Sequence, residues 1–167
     1  MKKYTAFLLA AGLLFSLLLA GCGKTEIKLL PENAILDDAP DVVLEPDKPP
    51  YNLGGWREDN EVVWKLDVPQ EGTYRILISY SRPGREPTTW GTVRLYGKGR
   101  EDTELNFSVR PTGKDNKDWS VYDVNDASGA RLKPGPLYLS IRPNFPDNYR
   151  GTEYFINLRS VTLQLED

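Results

Sequence analysis

Cys22 is the only cysteine of the chain, and its surroundings are those of a thiol that receives a lipid. Lys2 and Lys3 form a positive start, residues 4–19 are uncharged and mostly apolar, and the small pair Ala20-Gly21 precedes the cysteine. This is the layout of a secretory signal that ends in a lipobox, Leu-Ala-Gly-Cys. The apolar run, roughly 16 residues, is shorter than the ~20 that a membrane-spanning helix needs.

We therefore predict a signal peptide over residues 1–21, export, and a lipid on Cys22 that anchors the protein to a bacterial membrane, in the cell envelope or at its surface. The alternative is an ordinary signal peptide in which a cysteine lies near the cleavage site by chance.

The chain contains no histidine, and this limits the catalytic chemistry open to it. Without an imidazole it can form neither a Ser-His-Asp triad, nor a Cys-His pair, nor a histidine-ligated metal site. A pair of carboxylates, as glycosidases use, remains formally open, yet the spacing of the 24 Asp and Glu residues singles out no pair. We therefore predict a protein that is not an enzyme.

Composition indicates a single acidic domain with a packed core. Cleavage before Cys22 leaves 167 − 21 = 146 residues, the usual size of one domain. Loss of Lys2 and Lys3 changes the formal charge from −3 to −3 − 2 = −5. Nucleic acid binding needs clustered Lys and Arg, so we expect no nucleic acid partner. Because Cys22 is the only thiol, no disulfide can form within the domain.

Apolar and polar side chains alternate from about residue 61 onward, which is the strand period of two. Val62–Val68 and Thr73–Tyr80 both alternate, and a turn at residues 69–72 separates them. Gly and Pro interrupt nearly every gap, and no segment after the signal has a sustained helical period. Many short strands at this spacing predict an antiparallel β-sandwich. Further segments with this period lie at residues 93–95, 105–109, 119–124 and 137–141.

In the last segment the apolar positions change from even to odd residue numbers. Ile156 and Leu158 stand at even positions, whereas the apolar residues from Val161 onward stand at odd positions and would face the other side of a regular strand. A strand can do this only through a bulge or a break, which we predict near Arg159.

The predicted organisation has three parts. Residues 1–21 are the signal peptide, residues 22–30 are a lipidated tether, and residues 31–167 are the β-sandwich domain. Long connections on a rigid sandwich are where binding residues usually lie. Three such connections are residues 81–90, 111–118 and 144–153.

Five segments of the domain occur in an order that is typical of one group of proteins. They are Gly54-Gly55-Trp56, then Asn60–Pro69 with Gly72–Ile76, then Thr112-Gly113 with Trp119, then Leu132–Gly135, and finally Ile156-Asn157-Leu158. In this order they resemble carbohydrate-binding modules of families 6 and 35, in which a strand ending in Val-Pro, a turn and Gly-Thr-Tyr form the most recognisable stretch. The resemblance covers about residues 31–166. It implies a galactose-binding-like jelly-roll sandwich that binds polysaccharides without cleaving them.

The resemblance also implies a ligand site built from aromatic platforms and an asparagine at the loop end. Trp56 matches an aromatic residue of the early loop, Trp119 matches the tryptophan of the Thr-Gly segment, and Asn157 matches the asparagine before the last strand. Trp90 and Tyr149, in long connections, are further candidates. The chemistry is suitable, because the C–H face of a pyranose packs on an aromatic ring and Asn supplies both a donor and an acceptor.

Each candidate has a structural alternative. Trp56 could plug the end of the sandwich, and Trp90 could cap a strand. Trp119 could begin a strand and pack in the core beside Val121. Asn157 could satisfy backbone groups at the parity change.

One feature of the family is altered here. Many relatives hold a structural calcium ion with two early Glu residues and an Asp directly after the last Asn-Leu. Arg159 stands at that Asp position, and Glu32-Asn33 offers only one carboxylate. A cation in place of an acidic ligand should abolish the site, so we expect neither a metal nor another cofactor.

Two functions remain open at this stage. The first is a lipid-anchored, non-catalytic module that binds a glycan by aromatic stacking at the loop end. The second is an envelope lipoprotein that keeps the jelly roll for a structural or protein-binding role without binding sugar, because a fold survives changes that abolish binding.

Overall fold

The computed structural model describes residues 25–166. The predicted signal peptide and Cys22 lie outside the described residues, as does Asp167.

Ten strands and one short 3-10 helix, Pro31–Asn33, make up the described secondary structure. No helix in residues 25–166 has the length and apolar character that crossing a bilayer requires. The strands, numbered in chain order, are β1 Glu26–Leu29, β2 Val43–Glu45, β3 Asn52–Gly54, β4 Val62–Val68, β5 Gly72–Ser81, β6 Thr89–Tyr96, β7 Thr103–Val109, β8 Tyr122–Leu132, β9 Gly135–Asn144 and β10 Asn157–Leu165.

The strands form two antiparallel sheets, and the prediction of an all-β jelly-roll sandwich is confirmed. The larger sheet has the order β2-β3-β10-β5-β8, with β1 also paired to β10. The smaller sheet has the order β4-β9-β6-β7. Neighbours such as β5 and β10, or β4 and β9, are distant in sequence, so the register is set by long-range pairing.

The core lies between the sheets and follows the predicted alternation. In β4 the buried residues are Val62, Trp64, Leu66 and Val68, and the residues between them are exposed or half-buried. The inward side chains of β5, from Tyr74 to Tyr80, are buried in the same way. Burial of these apolar side chains stabilises the fold by about 25 cal/mol per Å² removed from water.

The predicted bulge in the last strand is confirmed. The register between β10 and β5 shifts between Leu158 and Ser160, so that Arg159 is the extra residue. The shift lets Leu158 and Val161 both face the core although they are three positions apart, and both are fully buried.

Two predicted boundaries are wrong. Glu26–Leu29 was expected to belong to the tether, yet it pairs with β10 over four positions as β1. Trp119 was expected to begin a strand, yet β8 begins only at Tyr122 and runs to Leu132. Trp119 therefore lies in a loop, and its side chain is half-buried rather than part of the core.

Candidate functional site

The two ends of the sandwich differ in the length of their connections. At one end, which we call the loop pole, lie four long connections: residues 55–61, 82–88, 110–121 and 145–156. At the opposite end, the turn pole, lie the short connections at residues 69–71, 97–102 and 133–134, together with the start of β1. The sequence-predicted candidates all lie at or near the loop pole.

A row of paired positions crosses the larger sheet beside the loop pole. Asn157 of β10 pairs with Ser81 of β5, and Ser81 pairs in turn with Tyr122 of β8. Gly54 of β3 lies on the other side of Asn157, where a Cβ would come within 3.1 Å of Asn157 Oδ1. These positions face away from the smaller sheet, because their strand neighbours Tyr80 and Leu158 face the core.

Trp119 joins this row through its backbone. The Ser81 hydroxyl donates a hydrogen bond to the Trp119 carbonyl oxygen at 2.7 Å. Ser81 is fully buried beneath this contact, whereas Trp119 and Asn157 are half-buried. Ser81 therefore connects two candidates that are 38 positions apart in sequence: it binds the backbone of Trp119 and pairs with Asn157.

The row continues toward β2 with further polar groups. Asn52 Nδ2 donates to Glu45 Oε1 at 3.1 Å. The carboxylate of Glu45 lies over Gly54, where any Cβ would collide with it. A carboxylate and the amides of Asn52 and Asn157 together offer donors and acceptors to the hydroxyl groups of a ligand. We call residues Glu45, Asn52, Ser81, Trp119, Tyr122 and Asn157 the Asn157 row.

Arg159, the bulge residue of β10, stacks on the ring of Tyr122. The guanidinium carbon of Arg159 lies 3.6 Å from the centre of the Tyr122 ring. Such a cation–π contact at an exposed site contributes about 0.5–1 kcal/mol. The contact joins β10 to β8 across β5 on the outer face of the larger sheet.

Asp118 holds the loop that carries Trp119. Its carboxylate accepts hydrogen bonds from the Lys114 N–H at 3.0 Å, the Ser120 N–H at 3.0 Å and the Ser120 hydroxyl at 2.6 Å. These bonds, that of the Ser120 hydroxyl above all, lower the pKa of Asp118 from 3.8 to about 2. Because the Gly84 N–H also donates to the Asp115 carbonyl at 2.6 Å, the loop is fixed to its neighbour at residues 82–88.

Trp56 is a core residue, and the prediction that it is a sugar platform is wrong. Its side chain is fully buried, its Nε1 donates to the Asn60 carbonyl at 3.0 Å, and its ring packs edge-to-face with Phe155, with the ring centroids 5.7 Å apart. Gly55 has φ +71°, a conformation that glycine adopts without steric cost. This turn carries the chain from the outer face at Gly54 into the sandwich, so Trp56 plugs its end.

Trp90 lies apart from the Asn157 row, on the smaller sheet. It pairs with Ser108 of β7 and Asn144 of β9, and 43% of it is exposed. Its side chain lies on the outer face of this sheet, since its neighbours Thr89 and Gly91 are buried.

Tyr149 lies in a third place at the loop pole. Its ring stacks on Phe145 with the centroids 4.7 Å apart, and its hydroxyl accepts a hydrogen bond from Arg82 Nη2. Burial raises the pKa of Tyr149. The residue lines a cleft of about 400 Å³ with Arg57 and Glu153, which form an ion pair at 3.3 Å. The structure thus brings together Trp119 and Asn157 but not Trp90 or Tyr149.

Arg82 is a fully buried cation that the sequence did not indicate as special. Its Nη1 donates to the carbonyls of Pro87 at 2.9 Å and Val109 at 3.2 Å, and its Nη2 reaches Tyr149. Its Nε has no partner within residues 25–166. Burial lowers the pKa of Arg82. The side chain ties the end of β7 to two of the four pole connections, so its role is to hold the loop pole together.

Sequence reasoning also missed most partners of Trp119 and Asn157. Glu45, Asn52, Ser81 and Tyr122 come from four different strands and carry no motif. The pairing of the strands brings them together, and no local pattern indicates that pairing.

Solved structures of carbohydrate-binding modules share this fold. The family 35 module from Clostridium thermocellum matches with a TM-score of 0.63 at 13% identity, covering 83% of this chain and 97% of the module. The family 35 module of Abf62 from Cellvibrio japonicus matches with a TM-score of 0.60 at 16% identity, covering 83% and 92%. The module from Paenibacillus barcinonensis matches with a TM-score of 0.58 at 17% identity, covering 85% and 99%.

No family model and no curated protein matches the chain. At these identities the likeness to the solved structures establishes the fold. It confirms, at the level of the fold, the resemblance on which the sequence prediction rests.

Proposed function

We propose that the protein is a lipid-anchored, non-catalytic module that binds a glycan at the Asn157 row. The observation that carries this proposal is that Ser81 binds the Trp119 carbonyl and pairs with Asn157. Both were assigned from the sequence as ligand-binding residues. Since they are half-buried, both retain surface for a ligand.

The chemistry of the row suits a saccharide. Trp56 and Trp64 use their indole N–H groups on the backbone carbonyls of Asn60 and Leu30. The indole N–H of Trp119 has no such partner among the hydrogen bonds of the described residues. An indole whose N–H is free to donate, carried by a loop whose backbone contacts Ser81, could offer an apolar surface to a sugar while the two amides and the carboxylate of the row offer polar groups.

The loop that carries Trp119 is held before any ligand arrives. Asp118 accepts a hydrogen bond from Lys114 of the same loop, and the hydrogen bond from Gly84 to Asp115 ties the loop to the neighbouring connection at residues 82–88. A site that is ordered in advance loses less conformational entropy on binding. This supports a binding role for Trp119, because a loop that became ordered only on binding would lose conformational entropy, and that loss would offset the free energy gained by stacking.

The comparisons support the class of function. Three of the solved structures that share the fold are named as family 35 carbohydrate-binding modules. The described residues include no group of three or more Cys, Asp or Glu that could hold a metal ion.

The experiment is a screen of the purified full-length protein, in detergent, against a broad glycan array, followed by calorimetry with the best ligand. We expect Trp119→Ala and Asn157→Ala each to weaken binding by about tenfold or more, the effect of removing a central contact. Trp90→Ala is the matched control, because it removes an exposed indole at the same pole, and it should leave the affinity unchanged.

Two outcomes would count against the proposal. Equal losses in Trp119→Ala and Trp90→Ala would place the ligand elsewhere. An absence of binding to every glycan would leave the second function, a structural or protein-binding lipoprotein.

A further inference from the structure

An open groove of about 280 Å³ lies on the outer face of the smaller sheet. Its strand residues Val63, Tyr96 and Tyr138 point outward, because the residues on either side of Val63 in β4 and of Tyr138 in β9 are buried, as is Leu95 before Tyr96. The Asn157 row lies on the outer face of the other sheet, so the two surfaces are separate. We call this surface the tyrosine groove; its lining residues are Ile35, Asp37, Asp38, Val63, Tyr96 and Tyr138.

The floor of the tyrosine groove is aromatic and apolar. Tyr96 of β6 and Tyr138 of β9 are cross-strand partners, and their rings stack with the centroids 5.5 Å apart and 21° between the ring planes. Ile35 and Val63 form the adjoining part and are joined by two backbone hydrogen bonds, of 2.7 and 3.2 Å. Ile35 and Tyr138 are each 37% exposed. The floor therefore keeps apolar surface in contact with water.

The side of the groove formed by residues 37 and 38 is acidic. Asp37 and Asp38 are exposed, and the N–H of Glu61 donates to the Asp38 carbonyl at 3.0 Å. None of these three carboxylates forms an ion pair with another described residue. Burial raises the pKa of Tyr96, and the charges of Glu61 and Asp38 raise it further, although Arg94 lowers it. The lining itself holds two carboxylates and no cation.

The nearest cations of the sheet are directed elsewhere. Arg94 forms an ion pair with Asp102 at 2.5 Å, and its guanidinium carbon lies 4.9 Å from the centre of the Tyr96 ring. Lys65 is the cross-strand partner of Tyr138, but it lines a neighbouring hollow and not the tyrosine groove. The carboxylates of the groove are thus open to a cation from outside the described chain.

A lysine or arginine side chain complements both features of the groove at once. Each of these side chains joins an apolar stem of three or four CH₂ groups to a cationic head. The stem matches the surface of Ile35 and Val63, and the head is attracted both by tyrosine ring faces and by carboxylates. A metal ion or a small amine would leave the apolar part of the floor uncovered, so a side chain on a peptide is the better match.

We propose that the tyrosine groove binds a lysine or arginine side chain of a partner protein. This goes beyond the glycan function and does not depend on it, because the Asn157 row lies on the other sheet. Two copies of this chain, each with a negative formal charge, repel one another, which favours a basic partner over a second copy. A protein built in this way would hold a glycan on one face and a basic protein segment on the other.

The test is an NMR titration of the full-length protein in detergent at low salt with two peptides. One is acetyl-Gly-Lys-Gly-Lys-Gly-amide, and the other is the same peptide with both lysine side chains acetylated. Acetylation keeps the apolar stems and removes the charges. We expect the lysine peptide to shift the amide signals of Val63 and Tyr138, and the acetylated peptide to leave them unchanged at the same concentration. Added salt should weaken the binding.

Variants locate the peptide on the groove, with the Val63 signal as the readout. Asp37→Asn combined with Asp38→Asn should weaken binding by about fivefold, the loss of two exposed ion pairs. Tyr138→Ala should weaken it by about threefold, the loss of one exposed cation–π contact. The matched control is Asp59→Asn combined with Asp147→Asn, which removes two exposed carboxylates from the cleft at the loop pole and should leave the affinity unchanged.

Three results would overturn the proposal. The first is an equal shift with the acetylated peptide, and the second is an equal loss of affinity in the control variant. The third is a movement of the Val63 and Tyr138 signals with protein concentration alone, because a second copy would then cover the groove. A failure of the glycan screen would not change the peptide result, so the two proposals are tested separately.

Discussion

The four tryptophans of the chain occupy two kinds of position. Trp56 and Trp64 are buried and donate to backbone carbonyls at 3.0 and 2.9 Å. Trp90 lies on the outer face of the smaller sheet and Trp119 lies in the loop at residues 110–121, and both retain exposed surface. Only the first pair is needed by the core, so stability measurements and binding measurements should respond to different tryptophans.

The first prediction concerns stability. Trp56→Ala should lower the free energy of unfolding by about 3–5 kcal/mol, because it removes a buried ring and leaves a cavity beside Phe155. Trp90→Ala should change it by less than about 1 kcal/mol, since the ring is partly exposed. Urea denaturation followed by circular dichroism measures both values. Similar losses for the two variants would contradict the assignment of Trp56 to the core.

At the scale of elements, the loop at residues 110–121 decides where Trp119 is held. Asp118 anchors this loop from within, and the pKa of its carboxyl, about 2 in the folded protein, lies below the unperturbed value of 3.8. A carboxyl whose folded pKa is depressed adds stability above pH 4, and that contribution is lost as the pH falls toward 2.

The second prediction follows from the lowered pKa of Asp118. The Asp118 carboxyl should titrate with a midpoint near pH 2 in a carbon-detected NMR titration. The loop, and with it glycan affinity, should stay constant from pH 7 to about pH 4. Asp118→Ala should weaken glycan binding throughout this range, because the Lys114 and Ser120 N–H groups lose their acceptor. A midpoint near 4 would show that the three hydrogen bonds do not hold the loop in solution.

The elements differ in how well the sequence predicts them. The alternation of β4 and β5 and the bulge of β10 are local patterns, and the structure confirms them. β1 was missed because four residues with only Ile27 and Leu29 as apolar members resemble a tether, and only the pairing with β10 makes them a strand.

The site was predictable only where a local motif marks its residues, and not where long-range strand pairing brings residues together. Trp119 and Asn157 carry motifs, whereas Ser81 and Tyr122 join them only through strand register. The burial of Trp56 depends on Phe155, about a hundred positions later, and no local pattern reports such a contact.

At the scale of the whole molecule, the strand directions relate the site to the predicted lipid. β1 begins at Glu26 at the turn pole, and only residues 23–25 separate it from Cys22. The ten residues of β5 span roughly 33 Å between the poles. If Cys22 carries a lipid, the turn pole faces the bilayer and the Asn157 row faces away from it.

The third prediction tests this arrangement. A fluorescent label on Lys133→Cys, at the turn pole, should be quenched by brominated lipids when the lipidated protein is in liposomes. The same label on Lys117→Cys, at the loop pole, should not be quenched, because it lies about one sandwich length from the bilayer. Cys22→Ser should release the protein from the membrane fraction, whereas Ser16→Ala should not. Retention of Cys22→Ser at the membrane, or equal quenching at both poles, would exclude the predicted anchoring.

The claim that a glycan seats on Trp119 beside Asn157 is tested most directly by the indole N–H signals in a two-dimensional NMR spectrum. Trp119→Phe and Trp90→Phe assign the two surface signals. On addition of the glycan selected by the array, the Trp119 signal should shift, and the signals of Trp56 and Trp64, whose N–H groups already donate to Asn60 and Leu30, should stay in place. A glycan that binds while the Trp119 signal remains unmoved would contradict the claim.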